Sequence, residues 1–357
     1  MTADSETRAE HAQRLGVSEA ALEVLAGADF IDLHLDSFIP VRVYGYDLSR
    51  AHRGGPPYGY CYGHADLPRL VDGGLTGAGW SITTNPFRTA AGRLATFSKN
   101  AETLTRLLEG LGTRIVRAPT DYEQARREGR FGSFVAIQGG DAWELVARGR
   151  APVPNDLVTR VTLVHLTSSA VGVTSSPLSI LRPNKGLTTL GKKLIEILDE
   201  RRIFVDLAHI HPKGFWDAVD AHDKSRPLVA THTGVSGVRP HWRNLDDRQL
   251  KAIADSGGVA GIIFSVHFLS RRGGPQDGAM IAEHVAHVVK TVGEDFVAIG
   301  SDYDGMIVPP KDLRSIELMP RLVDHLLRLG YSGERIRKIL GGNFLRAFRA
   351  LRPNALT

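Results

Sequence analysis

The residues best suited to metal chemistry in this sequence are histidines and aspartates that follow short apolar segments. His34 and Asp36 end the segment 31–36 (IDLHLD), which is typical of a buried β-strand. Residues two apart on a strand point to the same side, so these two side chains are expected to project together. An imidazole and a carboxylate in that arrangement could bind one cation. A core histidine beside a turn aspartate is the alternative, and the dipeptide alone does not decide between them.

Later segments that are also typical of strands end in the same kinds of residue. These are His165, His209, His232 and Asp302. Some of the 14 histidines of the chain would fall there by chance, but four histidines and two acids at predicted strand ends form a pattern. Imidazole and carboxylate ligands suit Zn²⁺ or a similar divalent metal. The sequence therefore predicts a metal site that holds one or two ions.

The elements that must position these residues alternate along the chain. Apolar, β-branched segments predict strands at 29–35, 77–83, 133–138, 160–165, 203–208, 227–231, 258–264 and 296–301, with 113–117 as a weaker ninth candidate. Amphipathic patterns predict helices at 87–111, 188–201, 212–223, 246–256, 279–292 and 314–329, followed by two C-terminal pieces at 333–340 and 343–351. Apolar strands that alternate with helices are typical of a parallel sheet. Eight such units favour an α/β fold of the closed (β/α)8 TIM-barrel type, in which strand ends collect catalytic groups on one face.

We expect residues 1–357 to form a single barrel domain, with residues 1–27 as a helical N-terminal extension. A long connection at 41–68 is inserted after the first strand and contains five of the eight tyrosines, among them Tyr58 and Tyr60. In a barrel this loop would lie over the active site. It is either an aromatic lid that contacts the substrate or a rigid surface loop in which tyrosines pack on one another.

Composition limits the class of protein. The chain is 42% hydrophobic and 23% charged, as in ordinary globular proteins, and no apolar run approaches the length of a membrane span. The N-terminus lacks a secretory pattern and Cys61 is the only cysteine, which favours a cytoplasmic location. The net charge of +5 is not organised into a basic stripe with aromatics, so we expect neither nucleic acid nor membrane as a partner.

Several short motifs together resemble one family, the membrane (renal-type) dipeptidases of the amidohydrolase superfamily, from about residue 29 to 350. The matching motifs are His34-x-Asp36, the segment 64–81, Gly139-Gly140, 162–165 (TLVH), 206–209 (DLAH), 231–233 (THT), Arg243-Asn244, 300–305 (GSDYDG) and 342–344 (GNF). The resemblance implies a (β/α)8 barrel with two zinc ions bridged by a carboxylate and a hydroxide, and often a homodimer.

The resemblance also implies a role for each matching residue. His34 and Asp36 would bind one metal, and His209 and His232 the other. His165 would polarise the scissile carbonyl, Arg243 would bind the carboxylate of the substrate, and Asp302 would transfer the proton. The alternatives are an ordinary surface arginine at 243, a helix cap at 302 and a core histidine at 165. His211 competes with His209 as a ligand, whereas His284 and His287 are expected to be solvated.

One position departs from the family pattern. The resemblance implies a bridging glutamate before Gly-Gly, and this sequence has Gln138 there, 27 residues before His165 as the pattern requires. A glutamine offers one neutral carbonyl oxygen in place of two anionic oxygens, so it screens the repulsion between two cations poorly. We therefore expect weaker binding of the metal pair or the loss of one metal. Asp141 or Glu144 could act as a substitute ligand.

These observations predict a metal-dependent hydrolase that cleaves the amide bond of a dipeptide or similar small carboxylate-bearing amide. Metal-bound water is a nucleophile near neutral pH, and a cation stabilises the developing oxyanion. Two alternatives remain because of Gln138. The same barrel could carry out a specialised tailoring reaction on a small metabolite with an altered or mononuclear site, or it could be an inactive binding protein.

Overall fold

The computed structural model describes residues 6–52, 60–154, 156–182 and 184–353, and eight parallel strands form the centre of that part of the chain. In spatial order these are β1 (Ile31–Leu35), β2 (Gly77–Thr83), β4 (Gly132–Gln138), β5 (Val158–Thr162), β6 (Phe204–Asp206), β7 (Val229–Thr233), β8 (Val259–Ile262) and β9 (Val297–Ile299). The remaining strand, β3 (Arg114–Ile115), pairs only with the start of β4, so the weak ninth candidate lies outside the barrel.

The barrel closes between its first and last strands. Leu35 forms a parallel bridge with Tyr303, and the Asp36 amide donates to the Tyr303 carbonyl at 2.9 Å. The Asp302 amide donates to the His34 carbonyl at 3.0 Å. The predicted (β/α)8 architecture is confirmed, and this closure brings the ends of β1 and β9 side by side.

Helices surround the strands at nearly the predicted positions. Those after the strands include α5 (Ala90–Gly110), α8 (Thr189–Glu200), α9 (Pro212–Ala221), α10 (Asp247–Asp255), α12 (Ala279–Val292) and α13 (Met319–Arg328). Shorter helices are α3 (Phe38–Tyr44), α4 (Leu67–Asp72), α6 (Pro119–Arg127), α7 (Glu144–Ala147), α11 (Val266–Leu269) and α14 (Gly333–Arg337). The side chains of Thr89, Thr188 and Asp246 accept hydrogen bonds from the first turns of α5, α8 and α10, which fixes where these helices begin.

The N-terminal extension consists of two helices, α1 (Arg8–Leu15) and α2 (Glu19–Leu25). Gly16 separates them with φ 67°, a left-handed conformation that glycine adopts at little cost. Ser18 caps α2, and both its hydroxyl and its amide donate to Asp324 on α13 at 2.7 and 3.1 Å. The extension therefore packs on its own barrel.

The bottom of the barrel is closed by the last helix, α15 (Asn343–Leu351). The rings of Phe344 and Phe348 contact Phe134 of β4 at centroid distances of 5.4 and 5.6 Å, and they also face Phe204 of β6. Burial of these aromatic rings fills the lower interior with apolar atoms. The candidate site residues lie at the opposite end of the barrel, which is formed by the C-terminal ends of the strands.

The long connection after β1 divides its tyrosines between the interior and the surface. Tyr46 is buried, stacks on His52 at 4.0 Å and accepts from Arg69 at 2.8 Å. Tyr60 is 55% exposed, and the ring of Tyr62 meets that of Tyr44 edge-on at 5.6 Å. Tyr58 lies outside the described residues.

No helix in the described part of the chain is both long and apolar enough to cross a bilayer.

Candidate metal and active site

The first cluster of candidate ligands forms where β1 meets β9. His34 Nε2 lies 3.6 Å from Asp36 Oδ1 and 3.7 Å from Asp302 Oδ1, and the donor atoms of all three lie within 4.8 Å of one another. The pairing of β1 with β2 is irregular between Asp32 and Leu35, and there the Asp32 carboxylate accepts from the His34 and Ser301 amides at 3.0 and 2.9 Å. His34 and Asp36 thus project together as predicted, but on an irregular strand end.

The second cluster is a pair of histidines from β6 and β7. His209 Nε2 and His232 Nε2 face each other at 2.8 Å, and His232 also packs against the His34 ring at a centroid distance of 3.8 Å. His209 follows β6 with φ 64°, a conformation uncommon for residues other than glycine. That left-handed turn brings His209 to face His232, whereas His211 caps α9 by accepting from Lys213.

Gln138 ends β4 between the two clusters and is buried. Its amide fits its neighbours when the nitrogen faces Asp36, at 3.1 and 3.3 Å from the two carboxylate oxygens, and the carbonyl oxygen faces His34 Nε2 at 3.1 Å. In this orientation the N–H groups of Gln138 bind the same carboxylate oxygens that a cation would need. A glutamate at this position would have no such donor.

The Gly139-Gly140 pair is required by the backbone and by space. Gly139 has φ 105°, and a Cβ on Gly140 would lie 2.7 Å from Leu194 Cδ2 and 3.0 Å from the Leu163 carbonyl. Neither position accommodates a side chain without movement of its surroundings. The close approach lets β4 end against the segment that carries His165.

A buried ion pair lies beneath the histidines. Arg160 of β5 donates to Asp206 of β6 at 2.8 Å and to Ser81 of β2 at 2.8 Å. Asp206 also accepts from the hydroxyls of Thr162 and Thr231 at 2.6 and 2.7 Å. Burial alone would raise the pKa of Asp206, but Arg160 and these hydroxyls hold it below its usual range.

This network sets the tautomer of a candidate ligand. The Thr231 hydroxyl gives its proton to Asp206, so at 2.9 Å it accepts from Nδ1–H of His232, which leaves Nε2 of His232 free to coordinate. Ser81 Oγ and Thr231 Oγ1 also lie 3.3 and 3.4 Å from His34 Nδ1. The sequence analysis named Asp206 only as part of a motif and did not single out Arg160. Arg160 could have been noticed as a charged residue within an apolar predicted strand.

Arg243 lies inside the site and not at the surface. It is 4% exposed, its Nη2 donates to the His232 carbonyl at 2.7 Å, and its Nε has no partner among the described residues. Burial lowers the pKa of Arg243 to about 10, which leaves it charged at neutral pH, and Asp302 acts in the opposite direction. The neighbouring acids are engaged elsewhere, since Asp246 caps α10 and Asp247 pairs with His287. A buried cation with a free donor is suited to bind a carboxylate.

His165 stands three residues beyond the end of β5, partly exposed, with its ring edge-on to His209 at 4.9 Å. Its ring makes no hydrogen bond within the described part of the chain. The protein atoms packed around the ring shield it from water and lower the pKa of His165 to about 4, although Asp36 acts in the opposite direction. The ring is therefore neutral near pH 7 and free to interact with a substrate atom.

Asp302 follows β9 with φ 62° and caps no helix. Burial and then the nearby Asp36 raise the pKa of Asp302 well above its usual range, while Arg243 opposes them. Asp304, two residues on, accepts from the His64 amide at 2.9 Å and from the Ser37 hydroxyl. His64 and Ser37 thereby tie the connection after β1 to the end of β9, a role that the sequence did not reveal.

Three further expectations concern residues outside the two clusters. Asp141 and Glu144 both pair with Arg93, so neither faces the site as a substitute ligand. The expectation that His284 is solvated is wrong: it is fully buried on α12, where Nδ1 accepts from the Val235 amide at 2.9 Å and Nε2 donates to the Leu269 carbonyl at 3.1 Å. Such local bonding cannot be read from the helical pattern alone.

The donor set fits a divalent metal. His34, Asp36 and Asp302 surround one point, and His209 and His232 direct nitrogen atoms at another. Burial lowers the pKa of His34, His209 and His232 well below the usual range, so all three are neutral at pH 7, as coordination requires. Asp206, which also lies near His34 and His232, is occupied by Arg160 and the threonine hydroxyls and does not count as a ligand.

Comparisons with known proteins agree with this geometry. Residues 18–356 match the family described as "Membrane dipeptidase (Peptidase family M19)". The dipeptidase tcpJ of Claviceps purpurea is 27% identical over 332 residues, which are 89% of this chain and 76% of that protein. A Klebsiella pneumoniae protein named "Uncharacterized protein in pqqA 5'region" is 39% identical over 167 residues, which are 46% of this chain and 60% of that protein.

Among solved structures, a metallo peptidase from Rhodobacter sphaeroides, liganded with a phosphinate mimic of the dipeptide L-Ala-D-Ala, superposes with a TM-score of 0.76. It is 23% identical, and the match covers 90% of this chain and 99% of that one. At this identity the likeness supports the fold. The family match spans nearly the whole chain and confirms the resemblance seen in the motifs, so the chain belongs to the membrane dipeptidase family, peptidase family M19.

Proposed function

We propose that this protein is a metal-dependent dipeptidase that hydrolyses the amide bond of a small substrate with a free carboxylate. The observation that carries the proposal is the convergence of His34, Asp36, His209 and His232 at the ends of three barrel strands, with Arg243 beside them. A divalent ion held there, which we propose to be Zn²⁺, would supply an activated water and positive charge near the scissile carbonyl.

The remaining residues act on the substrate. Arg243 binds its carboxylate through the unpartnered side of the guanidinium, which fixes the direction of the peptide. His165, neutral and free of hydrogen bonds within the described chain, donates to the carbonyl oxygen as charge develops there. Burial and the nearby Asp36 raise the pKa of Asp302, which suits its carboxyl group to hold a proton and transfer it to the leaving amine. Tyr60, on the connection after β1, remains a substrate contact predicted from the sequence alone.

The glutamine at position 138 favours a dipeptidase-type site with weaker metal binding. In the amide orientation that satisfies its neighbours, its N–H groups lie 3.1 and 3.3 Å from the Asp36 oxygens and compete with a cation for them, and its neutral carbonyl replaces the anionic bridge that the family pattern implies. We therefore propose that at least one metal is bound weakly, or that one ion suffices. A specialised reaction on a small metabolite at a mononuclear site is the second candidate function, and this same observation favours it.

The test compares the wild type with Gln138→Glu. We expect fewer than two tightly bound ions per chain in the wild type, and a gain in affinity of about tenfold or more in the variant, about 1.4 kcal/mol, because a second anionic ligand is added. Elemental analysis and competition with a chelator measure the metal, and a dipeptide panel measures turnover. Gln13→Glu adds the same charge at an exposed position of α1 and serves as the control.

The outcomes separate the two parts of the proposal. Two tight equivalents of metal in the wild type, together with dipeptide hydrolysis, would remove the weak-site idea and leave the dipeptidase intact. Failure of both proteins to hydrolyse any dipeptide when loaded with metal would contradict the dipeptidase itself. The homodimer and the cytoplasmic location remain predictions from the sequence.

A further inference from the structure

A cavity lies on the face of the barrel formed by the C-terminal ends of the strands, the face that also carries the candidate metal site. None of the candidate metal ligands lines it. Its volume is about 410 Å³, and its lining includes Arg239, Lys311, Arg314 and Tyr60. These residues come from the connections that follow β7, β9 and β1. It is therefore formed by the loops of the catalytic face, on the side where Arg243 and Asp302 lie.

The charge of the cavity is strongly positive and uncompensated. Arg239, Lys311 and Arg314 form no ion pair with any residue that the structure describes, and no acid lines the cavity. The carboxylate of Asp312, next to Lys311, is occupied by His325 at 2.7 Å and by the Gly278 amide at 2.7 Å. Like charges held together without counterions attract an anion.

The walls of the cavity are joined to the catalytic residues. Asn244, which directly follows Arg243, donates to the Arg239 carbonyl at 2.8 Å and to the Phe268 carbonyl at 2.8 Å. The Val266 amide donates to the Val308 carbonyl at 2.9 Å, which links the loops after β8 and β9. Since Asn244 directly follows Arg243, these bonds fix the backbone of Arg239 relative to that of Arg243.

Tyr60 supplies an edge to the same cavity. Its ring lies under the Arg314 guanidinium at 5.8 Å, a cation–π contact that holds the arginine while leaving its N–H groups available to a ligand. A ligand here would meet cationic groups on several sides and an aromatic ring on one. Guanidinium and ammonium groups of this kind bind small oxyanions, and a carboxylate is the one that a dipeptide side chain can supply.

We propose that this cavity binds a second anionic group of the substrate, so that the enzyme prefers dipeptides whose C-terminal residue has an acidic side chain. The proposal rests on the dipeptidase function above, in which Arg243 binds the terminal carboxylate. The side chain of that same residue would then extend past Arg239 towards Lys311 and Arg314. The preference arises from electrostatic attraction and should weaken as salt is raised.

The experiment compares kcat/KM for Ala-Glu with that for Ala-Gln, offering the C-terminal residue in both L and D forms. Metal-loaded wild type is expected to favour Ala-Glu by about fivefold or more, chiefly through KM, since several exposed cations each contribute a little. The double variant Lys311→Gln/Arg314→Gln should bring the ratio close to one. Arg272→Gln, an exposed arginine on a neighbouring loop outside the cavity, should leave the ratio as in the wild type.

A wild-type ratio near or below one, or a ratio that survives in the double variant, would overturn the proposal. Hydrolysis of other dipeptides but not of Ala-Glu would also overturn it. If no dipeptide is hydrolysed, the dipeptidase function fails, and the cavity is then tested by calorimetric titration with the dicarboxylate glutarate. Glutarate affinity that falls at least about fivefold in the double variant supports an anion site. Equal affinity in both proteins rejects it.

Discussion

At the scale of single residues, the arrangement of the site depends on charges that do not touch a substrate. Arg160 and Asp206 are both buried, and through Thr231 and Ser81 they reach the rear nitrogens of His34 and His232. A buried ion pair of this kind adds little net stability over apolar residues, but it is costly to break. Its value here is orientation: it fixes which ring nitrogen faces the metal position.

We predict that Arg160→Met lowers the free energy of unfolding of the metal-free protein by about 3–5 kcal/mol, because Asp206 is left charged and buried without its partner. Urea unfolding measures the loss, and chelator competition should also show weaker metal binding. In the double variant Arg160→Met/Asp206→Asn the stranded charge is gone, so part of the stability should return. If the double variant loses as much unfolding free energy as Arg160→Met and Asp206→Asn lose together, this account is contradicted.

At the scale of elements, α12 holds two loops of the catalytic face in place. His284 accepts from Val235, at the start of the segment that carries Arg243, and donates to Leu269 at the end of α11. Both ring nitrogens are used only when the imidazole is neutral. Burial accordingly lowers the pKa of His284 to about 4, although the Leu269 carbonyl opposes this shift.

The sign of the resulting pH dependence follows from proton uptake. Between pH 6.5 and 4 the unfolded chain binds a proton at this position and the folded chain does not, so acidification removes stability. We predict that His284→Gln reduces the slope of the unfolding free energy against pH in this window by about 1.4 kcal/mol per pH unit. This is the slope that the uptake of one proton on unfolding produces. Urea unfolding of metal-free protein at several pH values measures it. An unchanged slope would show that His284 does not titrate as the structure implies.

At the scale of the whole molecule, the N-terminal helices are part of the folded body. Ser18 caps α2 and donates twice to Asp324, Arg321 donates to the Leu15 carbonyl at 2.9 Å, and Arg337 donates to the Val24 carbonyl at 3.2 Å. The four bonds that involve Asp324, Arg321 and Arg337 span 306 or 313 residues of sequence. They connect the start of the chain to the helices that follow the last strand.

Ser18→Ala is therefore expected to lower the free energy of unfolding by about 1–3 kcal/mol, since it removes a helix cap and a hydrogen bond to a carboxylate. Thr7→Ala is the matched control. Thr7 caps α1 through Glu10 at the exposed end of the chain, so its loss should cause local fraying with little change in global stability. Equal losses in the two variants would mean that α2 is not anchored through Asp324.

The order of strands and helices could be predicted from the pattern of residue types alone, because continuous apolar segments alternating with amphipathic ones have few ways to bury their surfaces other than a parallel barrel. The same pattern also indicated which residues stand at the strand ends, and so the family and the candidate ligands. These features depend on residue types that are close together in the sequence.

The contacts made by the residues at the strand ends became known from the folded chain. It placed Arg243 in the interior, His209 and Asp302 in left-handed turns, His284 in a buried bond network and Arg160 beneath the histidines. It also brought the Gln138 amide beside Asp36 and gathered three cations from the connections after β7 and β9 around one cavity. These outcomes depend on contacts between distant parts of the chain, on burial and on charge, none of which a local pattern of residue types contains.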